Sequence, residues 1–108
     1  MATTYKVLGQ SNPAATTSTD LYTVPASTST VVSTISVANL GTSGTFRVSV
    51  APAGAAVANS QYIAYDVGLN ANDAITFTLG ITLATTDKIR VFASNASFAF
   101  SAFGSEIT

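Results

Sequence analysis

The sequence predicts an all-β fold, an antiparallel two-sheet β-sandwich of jelly-roll or immunoglobulin-like type with about eight short strands. Three observations predict it. β-Branched residues dominate, apolar residues recur with a period of two, and Gly, Asn or Asp separate the alternating stretches. No stretch supplies the crossover helix that parallel strands need, so we expect antiparallel pairing.

The expected strands follow one another along the whole chain. They comprise residues 4–9, 21–25, 31–37, 46–50, 61–66, 74–79, 88–94 and 98–103. Pro25 and Pro52 are expected to end strands, because proline lacks the N–H that a central ladder needs. Residues 52–60 contain Gly54 and no capped amphipathic stripe, which favours a loop over a helical turn.

Alternation also assigns faces and one turn. The residues expected to face the core are Val31, Ile35 and Val37 of the third strand, Phe46, Val48 and Val50 of the fourth, and Phe77, Phe98 and Phe100 further on. Between the third and fourth strands, residues 39–44 hold an Asn and two Gly residues that tolerate positive φ. A hairpin is therefore predicted there.

The length favours one domain over residues 1–108, since 108 residues bury a single core. Within this domain, residues 11–20 are expected to form an exposed connection or to belong to an extended arm. In the second case the N-terminal arm would comprise residues 1–20.

Charge is scarce in this chain. Only 8% of the residues are charged and the net charge is -1, whereas soluble domains carry about a quarter of charged residues. Such a surface repels neighbours weakly, which suits a protein that packs against other proteins. Nucleic acid is not expected as a partner, because the four cations are scattered. A membrane is not expected either, since no apolar segment reaches spanning length. Without a secretory signal pattern, synthesis and folding in the cytoplasm are expected.

The residues that most enzymes use are absent. The chain has no His and no Cys, so hydrolase triads, imidazole ligands and thiolate ligands are missing. We expect no enzymatic activity, no catalytic residues and no cofactor. Asp73 and Asp87 precede strands and are expected to bond turn backbone. Asp66 with residues 70–73 offers oxygen ligands for Ca²⁺, but the spacing matches no calcium loop, so no metal site is predicted.

Three aromatic residues are the candidate protein-interface residues. By alternation, Phe92 shares a face of its strand with the charged residues Lys88 and Arg90. Phe103 is out of phase with Phe98 and Phe100, and Tyr62 is out of phase with its neighbours Ile63 and Tyr65. We therefore predict that one or more of Tyr62, Phe92 and Phe103 contacts a partner.

Several segments resemble those of a known group of proteins. They are LYTVPA at 21–26, VVSTISVAN at 31–39, QYIAYD at 61–66 with TLGITL at 78–83, and AFGSEIT at 102–108. With these, nearly the whole chain resembles small virion structural proteins of tailed bacteriophages, notably phages of cyanobacteria and other marine bacteria. The resemblance implies a non-enzymatic β-sandwich that assembles in many copies, and it transfers no catalytic residues.

The functional hypothesis follows from this resemblance and from the neutral surface. The chain is expected to be a structural component of a tailed-phage virion, a capsid decoration or cement protein or another accessory protein. Its expected partners are capsid or tail proteins and further copies of itself, and it would be made and assembled in the host bacterial cytoplasm. The alternative is a tail- or fibre-associated receptor-binding module that recognises host surface glycan through Tyr, Phe and Asn side chains on loops.

Overall fold

The computed structural model describes residues 2–108, apart from the side chain of Leu79. It contains eight strands, β1 (Thr3–Ser11), β2 (Thr19–Thr23), β3 (Ser29–Asn39), β4 (Gly44–Ala51), β5 (Tyr62–Leu69), β6 (Ala74–Leu83), β7 (Lys88–Ala93) and β8 (Phe98–Ile107). Residues 52–61 connect β4 to β5 with two single 3₁₀ turns. Within residues 2–108, no helix is both long and apolar enough to span a bilayer.

The strands form two antiparallel four-stranded sheets. Sheet 1 has the order β1-β8-β3-β6 and sheet 2 the order β2-β7-β4-β5. The pairs β1–β8, β2–β7, β3–β6 and β4–β5 are nested like a long hairpin rolled into two layers, which is the jelly-roll topology. The predicted all-β sandwich of eight strands is confirmed, and of the two types expected it is the jelly roll.

The predicted hairpin at residues 39–44 is wrong. β3 belongs to sheet 1 and β4 to sheet 2, so this turn crosses one end of the sandwich. The side chain of Asn39 anchors this connection between the two sheets. Its buried side chain donates to the carbonyl oxygens of Thr42 at 2.8 Å and Leu69 at 3.1 Å. Opposite sheets let the apolar faces of β3 and β4 meet across the core, where a hairpin would set them side by side.

The core is aromatic at its centre. Phe46 of sheet 2 has its ring centroid 5.9 Å from that of Phe77 and 6.0 Å from those of Phe98 and Phe100 in sheet 1. Phe46, Phe98 and Phe100 are fully buried, as predicted, whereas Phe77 is half-buried at the edge of the core. Edge-to-face contacts of this kind add about 0.5–1.5 kcal/mol each beyond simple burial.

A register shift in β3 changes one predicted face. Pairing of β3 shifts between Val32 and Thr34, so Val32 is fully buried and Val31 lies half-exposed on the outer face. The prediction for Val31 is therefore wrong, because a bulge inverts the alternation on one side of it. In β4 the pairing with β5 also shifts after Val48, but the pairing with β7 is regular, so Val50 lies opposite the buried Ile89 and packs against the core, as predicted. Val50 is half-buried.

The first twenty residues divide into a strand, a connection and the start of β2. Residues 3–11 are β1, paired along β8, so they are not a free arm in the single chain. The reason is the alternation of this segment, which allows a ladder to the exposed edge of β8. The connection after β1 is anchored at Asn12, whose side chain donates to the carbonyls of Ala96 and Phe98. Residues 14–18 are exposed, as expected of a connection.

Candidate interaction surfaces

Arg47 lies at the centre of an aromatic cluster on the outer face of sheet 2. Its guanidinium carbon is 4.3 Å from the ring centroid of Tyr65 and 4.5 Å from that of Phe92. Asp66 accepts a hydrogen bond from its Nε at 2.7 Å. Tyr62 meets Tyr65 edge-on, with ring centroids 4.8 Å apart. We call these five residues the arginine–aromatic cluster.

A β-bulge in β5 builds this cluster. Between two regular pairs of β4 and β5, Arg47 alone stands opposite both Tyr65 and Asp66. The backbone of Asp66 is left-handed, with φ of 50°, which lets two consecutive side chains lie on the outer face. A regular strand would have turned one of them towards the core. The bulge thus gives Arg47 an aromatic partner and a carboxylate partner together.

The contacts within the cluster are individually weak. The Arg47 and Asp66 side chains are 25% and 44% exposed, so solvent screens their ion pair and its contribution is small. A cation–π contact at an exposed site is likewise weak. Tyr65 remains 55% exposed. The cluster therefore holds aromatic surface in a fixed arrangement while leaving it open to a partner, and Tyr and Arg are enriched among interface hot spots.

Arg90 fixes the long β4–β5 connection beside the cluster. Its Nη1 and Nη2 donate to the carbonyls of Ala55 at 2.6 Å and Gly54 at 3.1 Å, and its Nε donates to Asp20 at 3.2 Å. Lys88 also donates to Asp20, at 2.8 Å, and this bond keeps the pKa of Asp20 below its usual value. Lys88 and Arg90 are thus already hydrogen-bonded to acceptors of the same chain.

Two shallow clefts adjoin the cluster. The first, of about 240 Å³, is lined by Thr16, Ser18, Arg47, Ser49, Val57, Tyr62, Arg90, Val91 and Phe92. The second, of about 350 Å³, is lined by Asn59, Tyr62 and Tyr65. Ring faces beside an amide are suited to a flat or ring-shaped group, such as a sugar, as well as to a protein side chain.

Phe103 lies on the other outer face of the molecule. It is half-buried on sheet 1, where it lines an open groove with Tyr5, Val7 and Val31. Tyr5 is 84% exposed and Val7 48% exposed. The structure therefore brings together two of the three aromatics predicted as interface residues, Tyr62 and Phe92, and places Phe103 on the opposite face. Contact with a partner stays a prediction for all three.

A polar network joins the two sheets at the β1–β2 side. The Tyr22 hydroxyl donates to Glu106 at 2.5 Å and lies 2.8 Å from the Thr30 hydroxyl, and Lys6 donates to Glu106 at 3.3 Å. Burial and the bond to Glu106 raise the pKa of Tyr22 to about 12. The hydrogen bond from Tyr22 lowers the pKa of Glu106. These four residues come one each from β1, β2, β3 and β8. Their hydrogen bonds connect the two sheets at this side of the sandwich.

The remaining carboxylates hold turns. Asp73 accepts from the N–H of Ala74 at 2.8 Å. Asp87 accepts from the N–H groups of Ala53 at 2.8 Å and Ala84 at 2.9 Å. The turn role predicted for both is confirmed. Within the part of the chain that the structure describes, no three His, Cys, Asp or Glu residues come together as a metal site would require.

Sequence reasoning missed Arg47 and Tyr65 as members of a site. Alternation places Arg47 on the outer face, and its partner across the β4–β7 ladder is Phe92. That pairing could be found only once the strand order was known. The bulge at Asp66 has no signature in the stretch QYIAYD, because no Gly or Asn marks its left-handed position.

No protein-family model matches the sequence, and no curated protein matches it. Among solved structures, the chain is similar to one in the structure of infectious bursal disease virus, Gx strain, with a TM-score of 0.53 and 13% sequence identity. The similarity covers 97% of this chain and 31% of the viral one, so this chain spans about a third of its length. At that identity the likeness is one of fold, and no residue roles are transferred.

Proposed function

We propose that this chain is a non-enzymatic structural component of a tailed-phage virion, a capsid decoration or cement protein or another accessory protein present in many copies. The observation that carries the proposal is the jelly roll that fills the chain and is similar, over 97% of its length, to a chain of a virus. The jelly roll also occurs in lectins and other proteins, so the sequence resemblance to phage proteins supplies the finer part.

The surface supports an assembling role. With a net charge of -1, copies that crowd on a particle repel one another weakly, and little charge has to be desolvated at each contact. The arginine–aromatic cluster supplies residue types that anchor protein interfaces, held in place by Asp66 and the bulge. In this proposal the cluster contacts a capsid or tail protein, and assembly takes place in the host bacterial cytoplasm.

Glycan recognition is the second candidate, and one observation favours it. The cleft lined by Asn59, Tyr62 and Tyr65 combines two tyrosine rings with an amide on an exposed connection. Sugars are bound by stacking on aromatic rings and by amide hydrogen bonds. A receptor-binding module of a tail or fibre would use this cleft on host surface glycan.

The first experiment is electron cryomicroscopy of the purified parent particle, with mass spectrometry of its proteins. We expect density for the sandwich in many symmetric copies on the capsid surface, with the outer face of sheet 2 against a neighbouring protein. Density at the tail or fibre tips with sheet 2 turned outward would favour glycan recognition. Absence of the chain from the particle would refute the virion role.

A matched pair of variants tests the contact surface. Particles lacking the protein are incubated with Tyr65→Ala or with Tyr5→Ala, which removes the same atoms from the opposite face. We expect Tyr65→Ala to weaken binding to the particle about tenfold or more, as loss of an interface anchor does, and Tyr5→Ala to bind like the wild type. Equal effects of the two would contradict the assignment of the cluster.

A further inference from the structure

Strand β6 leaves a long free edge on sheet 1. It pairs with β3 on one side, and no strand within the described residues pairs with it on the other. Its ten residues, Ala74–Leu83, include no charge and no proline. Such an edge presents a row of main-chain donors and acceptors ready to pair with another strand.

The regular part of β6, residues 74–78, is less protected than the other three edges, because the irregularity of β6, where Leu79 and Gly80 lie opposite Ser33, comes after it. Edge strand β2 is only five residues long. Edge strand β5 is interrupted by the bulge at Asp66, and a bulge twists an edge away from pairing. Edge strand β1 carries Lys6, a residue type that blocks edge pairing. Strand β6 is therefore the edge best suited to extend its sheet.

The core is also incompletely covered beside this edge. Six half-buried apolar residues pack against the core, and four of them lie on β5 and β6, namely Val67, Ile75, Phe77 and Ile81. In contrast, the side chains that face outward on β6 include Thr76, Thr78 and Thr82, all exposed. A strand added to β6 would thus meet threonines on one face and complete an apolar layer on the other.

We propose that the occupant of this edge is a second copy of the chain, whose β6 pairs antiparallel with the first about a two-fold axis. This inference rests on the proposal that the chain assembles in many copies. In a two-fold pair each side chain lies opposite its own copy or a close neighbour, so a charged strand would oppose like charges, which is destabilising. The absence of charge from β6 meets that requirement.

The alternation of β6 requires the two-fold axis to pass through a residue, and the regular part of the strand, residues 74–78, is centred on Thr76. With the two-fold axis at Thr76, the two Thr76 residues face each other, and Ile75 of each copy lies opposite Phe77 of the other. Inward residues then meet inward residues, and the two apolar layers join into one. Thr–Thr and aromatic–β-branched pairs are among the favourable cross-strand pairs. The result is one eight-stranded sheet running through both copies.

Single cysteines test the contact, because the natural chain has none. Thr76→Cys is compared with Thr4→Cys, which places a thiol on the exposed β1 edge. Each purified full chain is treated with a short bismaleimide and analysed on a reducing gel. We expect covalent dimer from Thr76→Cys at least tenfold faster than from Thr4→Cys. Equal rates would overturn the proposal.

Charge at the same two positions supplies an independent test. Sedimentation equilibrium is measured for the wild type, Thr76→Lys and Thr4→Lys. We expect the wild type to dimerise, Thr4→Lys to match it, and Thr76→Lys to weaken the dimer at least tenfold, since two lysines would oppose each other. A wild type that stays monomeric at all concentrations, or equal weakening by both lysines, would overturn edge pairing.

Different results would refute the virion role and the β6 contact. A chain that is monomeric in solution but present in the particle would remove the β6 contact and leave the virion role in place. A β6-linked dimer that is absent from the particle would remove the virion role alone.

Discussion

The two lateral sides of the sandwich are built in opposite ways. At the β1–β2 side the sheets approach so closely that a Cβ on Gly9 would overlap the carbonyl oxygen of Leu21. At the β5–β6 side, Ile75, Phe77 and Ile81 of β6 remain half-buried. The first side is closed by the polar network around Tyr22 and Glu106, and the second leaves half-buried apolar residues at its rim.

This difference shows that a sandwich of 108 residues need not close its core on both sides within one chain. The closed side depends on hydrogen bonds that cross between the sheets, which require fixed geometry. The open side depends on apolar area, which any complementary partner surface can cover. We expect the closed side to respond to substitution through stability and the open side through association.

The largest expected contrast is between the centre of the core and its open rim. Phe46→Ala should lower the free energy of unfolding by about 3–5 kcal/mol, because the fully buried ring leaves a cavity. Phe77→Ala should cost only about 1–2 kcal/mol in the monomer, since its ring is half-buried. Urea unfolding of dilute protein measures both. Equal costs would mean that the rim is closed within a single chain.

Glycine substitutions compare a position between the two sheets with one on the outer face of sheet 2. Gly9→Ala should cost about 1–3 kcal/mol, because its methyl group would press against the main chain of β2. Gly68→Ala should stabilise by about 0.5–1 kcal/mol, since alanine loses less backbone entropy in a strand and meets open space. Guanidinium unfolding with an unchanged m-value is the measurement. A destabilised Gly68→Ala would contradict the open space around Gly68 on the outer face.

The Tyr22 hydroxyl should make stability depend on alkaline pH. Its pKa is raised to about 12 from 10.0, so the contribution is complete below pH 10 and is lost as pH rises from 10 towards 12. The loss should be on the order of 2 kcal/mol. Tyr22→Phe should cost about 1–3 kcal/mol at pH 7, because Glu106 and Thr30 lose a partner, and should remove that alkaline component. Thermal unfolding across pH 8–12 would check it, with Tyr5→Phe as the control.

The smallest expected effect concerns the exposed end of the same network. Lys6→Gln should cost about 0.2–1 kcal/mol, because the Lys6 side chain is 45% exposed. The pKa of Glu106 is lowered from 4.5, so its contribution is present above pH 4.5 and is lost as the pH falls through its folded value. Unfolding at low and high salt is the measurement, and the difference from the wild type should vanish in 1 M salt. A difference that persists in salt would contradict an ionic origin.

The sequence predicted all eight strands because each carries its own alternation, which is a local property. It mispredicted the partners of β3 and β4, since the turn at residues 39–44 has the composition of a hairpin and only Asn39, bonded to the distant Leu69, directs it across the sandwich. The wrong face for Val31 follows a register shift in β3, which depends on the neighbouring strands. For the same reason alternation could place Phe92 outward but could not bring Arg47 and Tyr65 to it.

The nested order of the strands has a consequence on the ribosome. β8 is synthesised after the other seven strands, yet it lies between β1 and β3 and joins them into one sheet. Until it emerges, β1 has no strand to pair with, and sheet 1 cannot form as a unit. β4 and β5, which are consecutive in the chain and pair with each other, can form first. The nascent chain therefore exposes unpaired strands for most of its synthesis, and its near-neutral sequence offers little charge to keep neighbouring nascent chains apart.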